Sequence, residues 1–166
     1  MGDSLVDVRS FLAKQFSLGR YRVVFLHGPA QSGKTRFAKT LARELGAEYL
    51  NLLVEFLSDA SLVEQIDRFS PGDLVDHCLT NAASDIIVVD DLDFLINTWT
   101  DDSKREFLSL VETLSVGQTN KLIFFVAQTD SGITLNHDPK SRVLRSVVKK
   151  SSSKQWFCPL DVEVSR

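Results

Sequence analysis

At 166 residues the chain has the length of one domain. Its 43% hydrophobic and 25% charged content excludes a disordered segment, and two cysteines are too few for a disulfide scaffold. A net charge of −3 and a pI near 5.6 give no global electrostatic footprint for nucleic acid. No apolar run approaches a membrane span, and the opening MGDSLVDVRS lacks the basic-then-apolar pattern of a secretory leader, so a cytoplasmic location with no membrane partner is expected. Cys78 and Cys158 match no zinc or redox spacing and read as free packing thiols.

In chain order, Ser4-Leu-Val-Asp7 has the form of a capping box, with Leu5, Val8 and Leu12 on one helical face. A lead-in helix over residues 1–19 is expected, ending at Ser17-Leu-Gly-Arg20. From Tyr21 an apolar strand runs directly into Gly28-Pro-Ala-Gln-Ser-Gly33-Lys34-Thr35, which fits the pattern G-x-x-x-x-G-K-[ST]. The spacing has a physical basis. Gly28 and Gly33 let the main chain approach a phosphate closely. Successive backbone N–H groups then form an anion nest at the N-terminus of a helix. Lys34 would reach the β- and γ-phosphates, and the Thr35 hydroxyl would ligate Mg²⁺. The candidate ATP-binding set is Gly28, Pro29, Ala30, Gln31, Ser32, Gly33, Lys34, Thr35 and Arg36. The plainer alternative is a glycine-rich turn that contains a lysine. A strand before the motif, and Phe37, Leu41 and Leu45 at helical spacing before Gly46, favour the nucleotide.

Ala47 to Leu57 fits a strand or a helix; a strand is favoured over its first half, where a crossover from the preceding helix is due. Ser61-Leu-Val-Glu64 reads as a second capping box with Leu62, Ile66 and Phe69 buried. Ser70-Pro71-Gly72-Asp73 restarts a helix whose stripe is Leu74, Val75, Cys78 and Leu79, with His77 a surface or packing residue. Asp85-Ile-Ile-Val-Val-Asp90-Asp91 reads as a strand buried on both faces, with two carboxylates at its carboxyl end, where open α/β sheets bind ligands. Asp90 would be the outer partner of Mg²⁺, and Asp91 would orient or deprotonate the attacking water. Acidic residues merely ending a strand in solvent are the alternative. Residues 96–103 read as a loop in which Trp99 folds onto the core or meets a neighbouring chain. An amphipathic helix with Phe107, Leu110, Val111 and Leu114 follows, up to Gly117.

Lys121 to Asp130 is another apolar strand, expected beside the Asp90 strand, so that Gln128 or Thr129 reaches the attacking water or the γ-phosphate. From Pro139 the segment PKSRVLRSVVKKSSSK reads as a helix with Val143, Leu144, Val147 and Val148 on one side, and Gln155 to Leu160 as a final edge strand. Residues 139–154 carry six basic and no acidic residues, whereas residues 85–106 carry seven acidic and two basic. That asymmetry suits head-to-tail packing of subunits, or simply a solvated basic face. The basic run also makes DNA a candidate partner, although it lacks interleaved aromatics.

With both motifs placed, the chain resembles P-loop ATPases of the AAA+ type over nearly its whole length. The resemblance implies a single α/β domain, 1–166, with a three-layer core over residues 20–160 and a tail at 161–166. Its parallel sheet would have five strands in the order 5-1-4-3-2, counted from the phosphate-loop strand. By that likeness Lys34 and Thr35 are the Walker A residues, and Asp90 and Asp91 the Walker B pair. Gln128 or Thr129 stands at sensor 1, and Arg142 or Arg145 is the finger inserted into an adjacent subunit. The paired aspartates in IIVVDDLDFL, with EFLSLVETL after them, are similar to the DnaA-like initiator and helicase-loader clade. The layout is also similar to the small P-loop ATPase subunit of bacteriophage-exclusion (BREX) defence systems. Members generally carry a C-terminal helical lid; the sequence stops at Arg166, so none is expected. The implied function is a Mg·ATP-dependent switch acting through an oligomer or other subunits of a defence system, its hydrolysis weak or partner-dependent. The alternative is a nucleotide-dependent, DNA-associated or scaffold module with little hydrolysis. A small-molecule kinase ranks last, because it needs an acceptor pocket and an arginine-rich lid.

Overall fold

The computed structural model describes residues 5–28, 34–128, 143–145, 149–150 and 156–159. A short strand β1 (Leu5–Asp7) leads into helix α1 (Val8–Leu18), then β2 (Val23–Gly28), α2 (Lys34–Leu45) and β3 (Glu48–Asn51). Next come α3 (Leu52–Ser58), α4 (Ala60–Gln65), a 3-10 turn (Ile66–Arg68), α5 (Pro71–Asn81) and β4 (Ile86–Asp90). A short α6 (Asp93–Ile96), α7 (Asp101–Thr113) and β5 (Leu122–Gln128) follow, then β6 (Val143–Arg145), β7 (Lys149–Lys150) and β8 (Trp156–Pro159).

Strand alternation builds three layers. Val23, Phe25, Ile87, Val89, Ile123 and Phe125 face one side of the sheet, under α3, α5, α6 and α7. Val24, Leu26, Val88, Leu122, Phe124 and Val126 face the other, under α1 and α2. Burial of both faces is why these strands are unbroken apolar runs. On α2, Phe37, Ala38, Leu41 and Ala42 recur at the spacing that lays one helical stripe on the sheet. On the opposite side Phe107 lies 5.4 Å from Phe125, 6.1 Å from Phe25 and 5.2 Å from Trp99, centroid to centroid. Trp99 joins this core and donates its indole N–H to the Phe69 carbonyl at 2.8 Å.

The four longer parallel strands lie in the order β3-β4-β5-β2, the 2-3-4-1 part of the expected arrangement. Beyond β2 there is no full fifth strand among the described residues. Only the three residues of β6 pair there, from Phe25↔Val143 to His27↔Arg145. Two expectations are corrected. Residues 143–145 and 149–150, read as part of a basic helix, are strands; the β-branched valines of this stretch favour extended backbone, and β6 covers the edge of β2. Trp156–Pro159 does not extend the parallel sheet; it runs antiparallel between β1 and β7 in a separate three-stranded sheet.

That second sheet also explains the first element. Leu5–Asp7 is a strand rather than the start of the helix, because its partner is β8 at the other end of the chain. Two smaller differences concern caps and a loop. Asp59, not Ser61, caps α4, its carboxylate accepting from Ser61 N–H at 2.9 Å. The loop read at 96–103 narrows to residues 97–100, with Thr100 capping α7. The helix start at Ser70–Asp73, Pro71 in the first turn of α5, and the strand over the first half of 47–57 follow the sequence reading, and the start is closed by a capping box between Ser70 and Asp73.

Arg22 ties α1 to the sheet. It is 2% exposed, and its guanidinium donates to the carbonyls of Gln15, Phe16 and Gly19 at the end of α1 and to that of Asn120 before β5. A fixed cation on orphaned C-terminal carbonyls satisfies them and complements the helix dipole.

Candidate functional site

The carboxyl ends of β2 and β4 bring the two sequence motifs together. Lys34 opens α2 and is 9% exposed; Asp90 closes β4 and is 3% exposed. Burial holds the Lys34 ammonium below its ordinary pKa range, while the charges of Asp93, Asp90 and Asp91 push the other way. The fold thus gathers one desolvated cation and three carboxylates at one edge of the sheet. Thr35 and Arg36 lie exposed in the first turn of α2. Gly28 is the last residue of β2 and stands in register with Gln128, the last residue of β5. Arg145 ends β6, in register with His27. Pro29, Ala30, Gln31, Ser32, Gly33, Thr129 and Arg142 lie outside the described residues.

β3 adds two side chains that the sequence reading did not single out. Tyr49 donates its hydroxyl to Asp90 Oδ2 at 2.9 Å, and Asn51 donates its amide to Asp91 Oδ2 at 2.7 Å. Asp91 N–H donates to Asp90 Oδ1 at 2.8 Å, so both Asp90 oxygens are engaged. Asp91 has φ +55°, the only positive φ at a non-glycine residue among those described. Aspartate tolerates the left-handed region better than most side chains, and such conformations cluster at functional sites. Burial first, then the bond to Asp90, drives the Tyr49 phenol well above its ordinary pKa, so it remains a neutral donor. Asn51 carried a readable signal, since it caps α3 through Oδ1 on Val54 N–H at 3.0 Å. Nothing local marks Tyr49, whose partner is 41 residues away.

The residues fit a magnesium-bearing nucleotide better than a resident metal. Among the described residues no group of three or more His, Cys, Asp or Glu side chains is arranged to hold an ion. Mg²⁺ characteristically takes one or two protein ligands and draws the rest from phosphates and water. Thr35 in the first turn of α2 and Asp90 at the end of β4 carry oxygen donors of the kind such an ion takes, and Lys34 carries a charge suited to phosphate oxygens.

The family model of the ATPase family associated with various cellular activities (AAA) matches residues 24–150, more than half of the sequence. The chain belongs to the AAA family. It is 29% identical over 128 residues to a mitochondrial Lon protease homolog of Phaeodactylum tricornutum, covering 70% of this chain and 14% of that protein. Two structures of the RuvB Holliday junction branch migration motor of Thermotoga maritima, one a point mutant, align at 18% identity. They cover 89% of this chain and 45% and 46% of the motor, with TM-scores of 0.46 and 0.44. The AAA chain therefore spans less than half the length of any of these relatives. Among its described residues no helix is long and apolar enough to cross a membrane.

Proposed function

We propose that this AAA chain is a Mg·ATP-dependent switch that binds the nucleotide where α2 begins. The observation that carries the reading is the buried Lys34 ammonium beside Asp90, Asp91 and Asp93, a charge set that a magnesium–triphosphate complements. Gly28, Pro29, Ala30, Gln31, Ser32, Gly33 and Thr35 would cradle the phosphates, with Arg36 flanking them. Thr35 and Asp90 would hold Mg²⁺, which when bound offsets charge on the β- and γ-phosphates. Asp91 would prepare the attacking water, with Gln128 or Thr129 directed at the γ-phosphate. Arg142 or Arg145 would act on the nucleotide of an adjacent subunit. Calorimetry tests the reading: Mg·ATP gives a saturable heat with the parent protein and none with Lys34→Ala. Equal heats from both proteins would sink it.

One observation favours a second reading, a nucleotide-dependent binding module with little hydrolysis. The Asp91 carboxylate that would act on water is held by Asn51. Phosphate release from the parent and from Asp91→Asn separates the two: a rate at least tenfold higher in the parent supports hydrolysis, and equal background rates support the module. The finer placement is in a phage-exclusion defence system, alongside its other subunits, or among initiator and helicase-loader proteins, with DNA as partner. It draws support from the order of elements and from the IIVVDD strand. Neighbouring defence genes favour the first and replication genes the second.

A further inference from the structure

The carboxylate assigned to the metal is held from a neighbouring strand. β3 and β4 pair in parallel with Tyr49 opposite Val88 and Asn51 opposite Asp90. Alternation therefore sends Tyr49 and Asp90 to the same face of the sheet, the one covered by α2. There the Tyr49 ring packs against the buried cluster and carries the Lys39 ammonium 5.7 Å above its centroid. Its hydroxyl meets Asp90 Oδ2, while Asp91 N–H meets Oδ1. An aspartate carboxylate otherwise turns broadly about its terminal torsion, with about four acceptor positions on its two oxygens. Two donors, one on each oxygen, restrict that rotation and leave the remaining acceptor positions for another ligand.

We propose that Tyr49 is a positioning residue for magnesium: its phenol fixes the Asp90 carboxylate in the orientation that receives the nucleotide-bound ion. The inference rests on the nucleotide site proposed above. Groups that orient a metal-facing carboxylate typically change metal affinity by about 10–100-fold when removed. A phenol suits the task because it is a neutral donor on a rigid ring, adding direction without cancelling the carboxylate's charge.

The test is a magnesium titration of the protein with a fluorescent ATP analogue, in parent and Tyr49→Phe, after nucleotide binding has been measured in chelator alone. Tyr49→Phe should bind the analogue in chelator as the parent does, yet need about tenfold more Mg²⁺ for the half-maximal change. Lys39→Met, which touches the outer face of the ring and leaves the hydroxyl, should keep the parent midpoint. An unchanged midpoint in Tyr49→Phe overturns the proposal and leaves the tyrosine a packing residue. Equal shifts in both variants overturn it as well, because seating of the ring rather than the hydroxyl would then be responsible. If the parent binds no analogue with or without Mg²⁺, the site reading fails and this inference with it.

Discussion

Lys34 illustrates how a single residue can be costly to the free chain and useful to the bound one. Taking an ammonium out of water disfavours its charged form, and here that effect outweighs three nearby carboxylates. A folded pKa below the unfolded one means that the unfolded chain holds this proton more tightly. The Lys34 contribution to stability is therefore least favourable at neutral pH and improves as pH rises through the folded pKa. Asp90 keeps its bonds from Tyr49 and the Asp91 amide when Lys34 is truncated. The Lys34→Ala protein should thus melt no lower than its parent without nucleotide, while losing the stabilisation that Mg·ATP confers on the parent. That linkage amounts to about 2.7 kcal/mol at a hundredfold excess over Kd. The meeting of Lys34 with Asp90 and Asp91 was legible in the sequence, Lys34 through its spacing from Gly28 and the aspartates through their place at the end of an apolar run. Tyr49 was not, since it matters through the register of β3 on β4, and Asn51 was readable as a helix cap but not as a partner of Asp91.

Among the elements, α1 depends most on one distant residue. Replacing Arg22 by Met keeps an apolar stem but removes the guanidinium donors from the carbonyls of Gln15, Phe16, Gly19 and Asn120. Hydrogen bonds to a charged group contribute about 1.5–3 kcal/mol, so an unfolding free energy lower by that amount, read as a lower denaturant midpoint, is expected for Arg22→Met. An unchanged midpoint would mean that water satisfies these carbonyls equally well. Element by element, the sequence was most readable where local chemistry decides. Ser70, Pro71 and Asp73 announce α5 through backbone groups within one turn. Residues 143–145 and 149–150 were misread because Val143, Leu144, Val147 and Val148 satisfy a helical spacing in the sequence, whereas β6 is set by the free edge of β2. Val6 and its neighbours were misread for the same reason, their partner being Cys158 and its neighbours.

For the molecule as a whole, charge distribution and sheet order lead to a prediction about assembly. Acidic residues crowd the carboxyl end of β4, and the basic residues 140–154 follow β5. If a neighbour's Arg142 or Arg145 completes the site, turnover per subunit should rise with protein concentration, since such arginines are worth about 10³–10⁵ in rate in related enzymes. Turnover that stays flat across a hundredfold dilution series would reject a shared site. The sheet's central order was expected from the family resemblance; the apolar runs themselves announced only strands buried on both faces, as in a parallel sheet covered by helices. The small antiparallel sheet was invisible for a topological reason: it joins Leu5–Asp7 to Trp156–Pro159, and no periodicity spans that separation.

Asn51 spends its one amide twice, with the oxygen on Val54 N–H and the nitrogen on Asp91. Both contacts hang from a single torsion. Turning the group far enough to let go of the aspartate also uncaps the helix behind it. Whatever draws Asp91 away will be felt at once in the first turn of α3, where Leu53 and Val54 already face water.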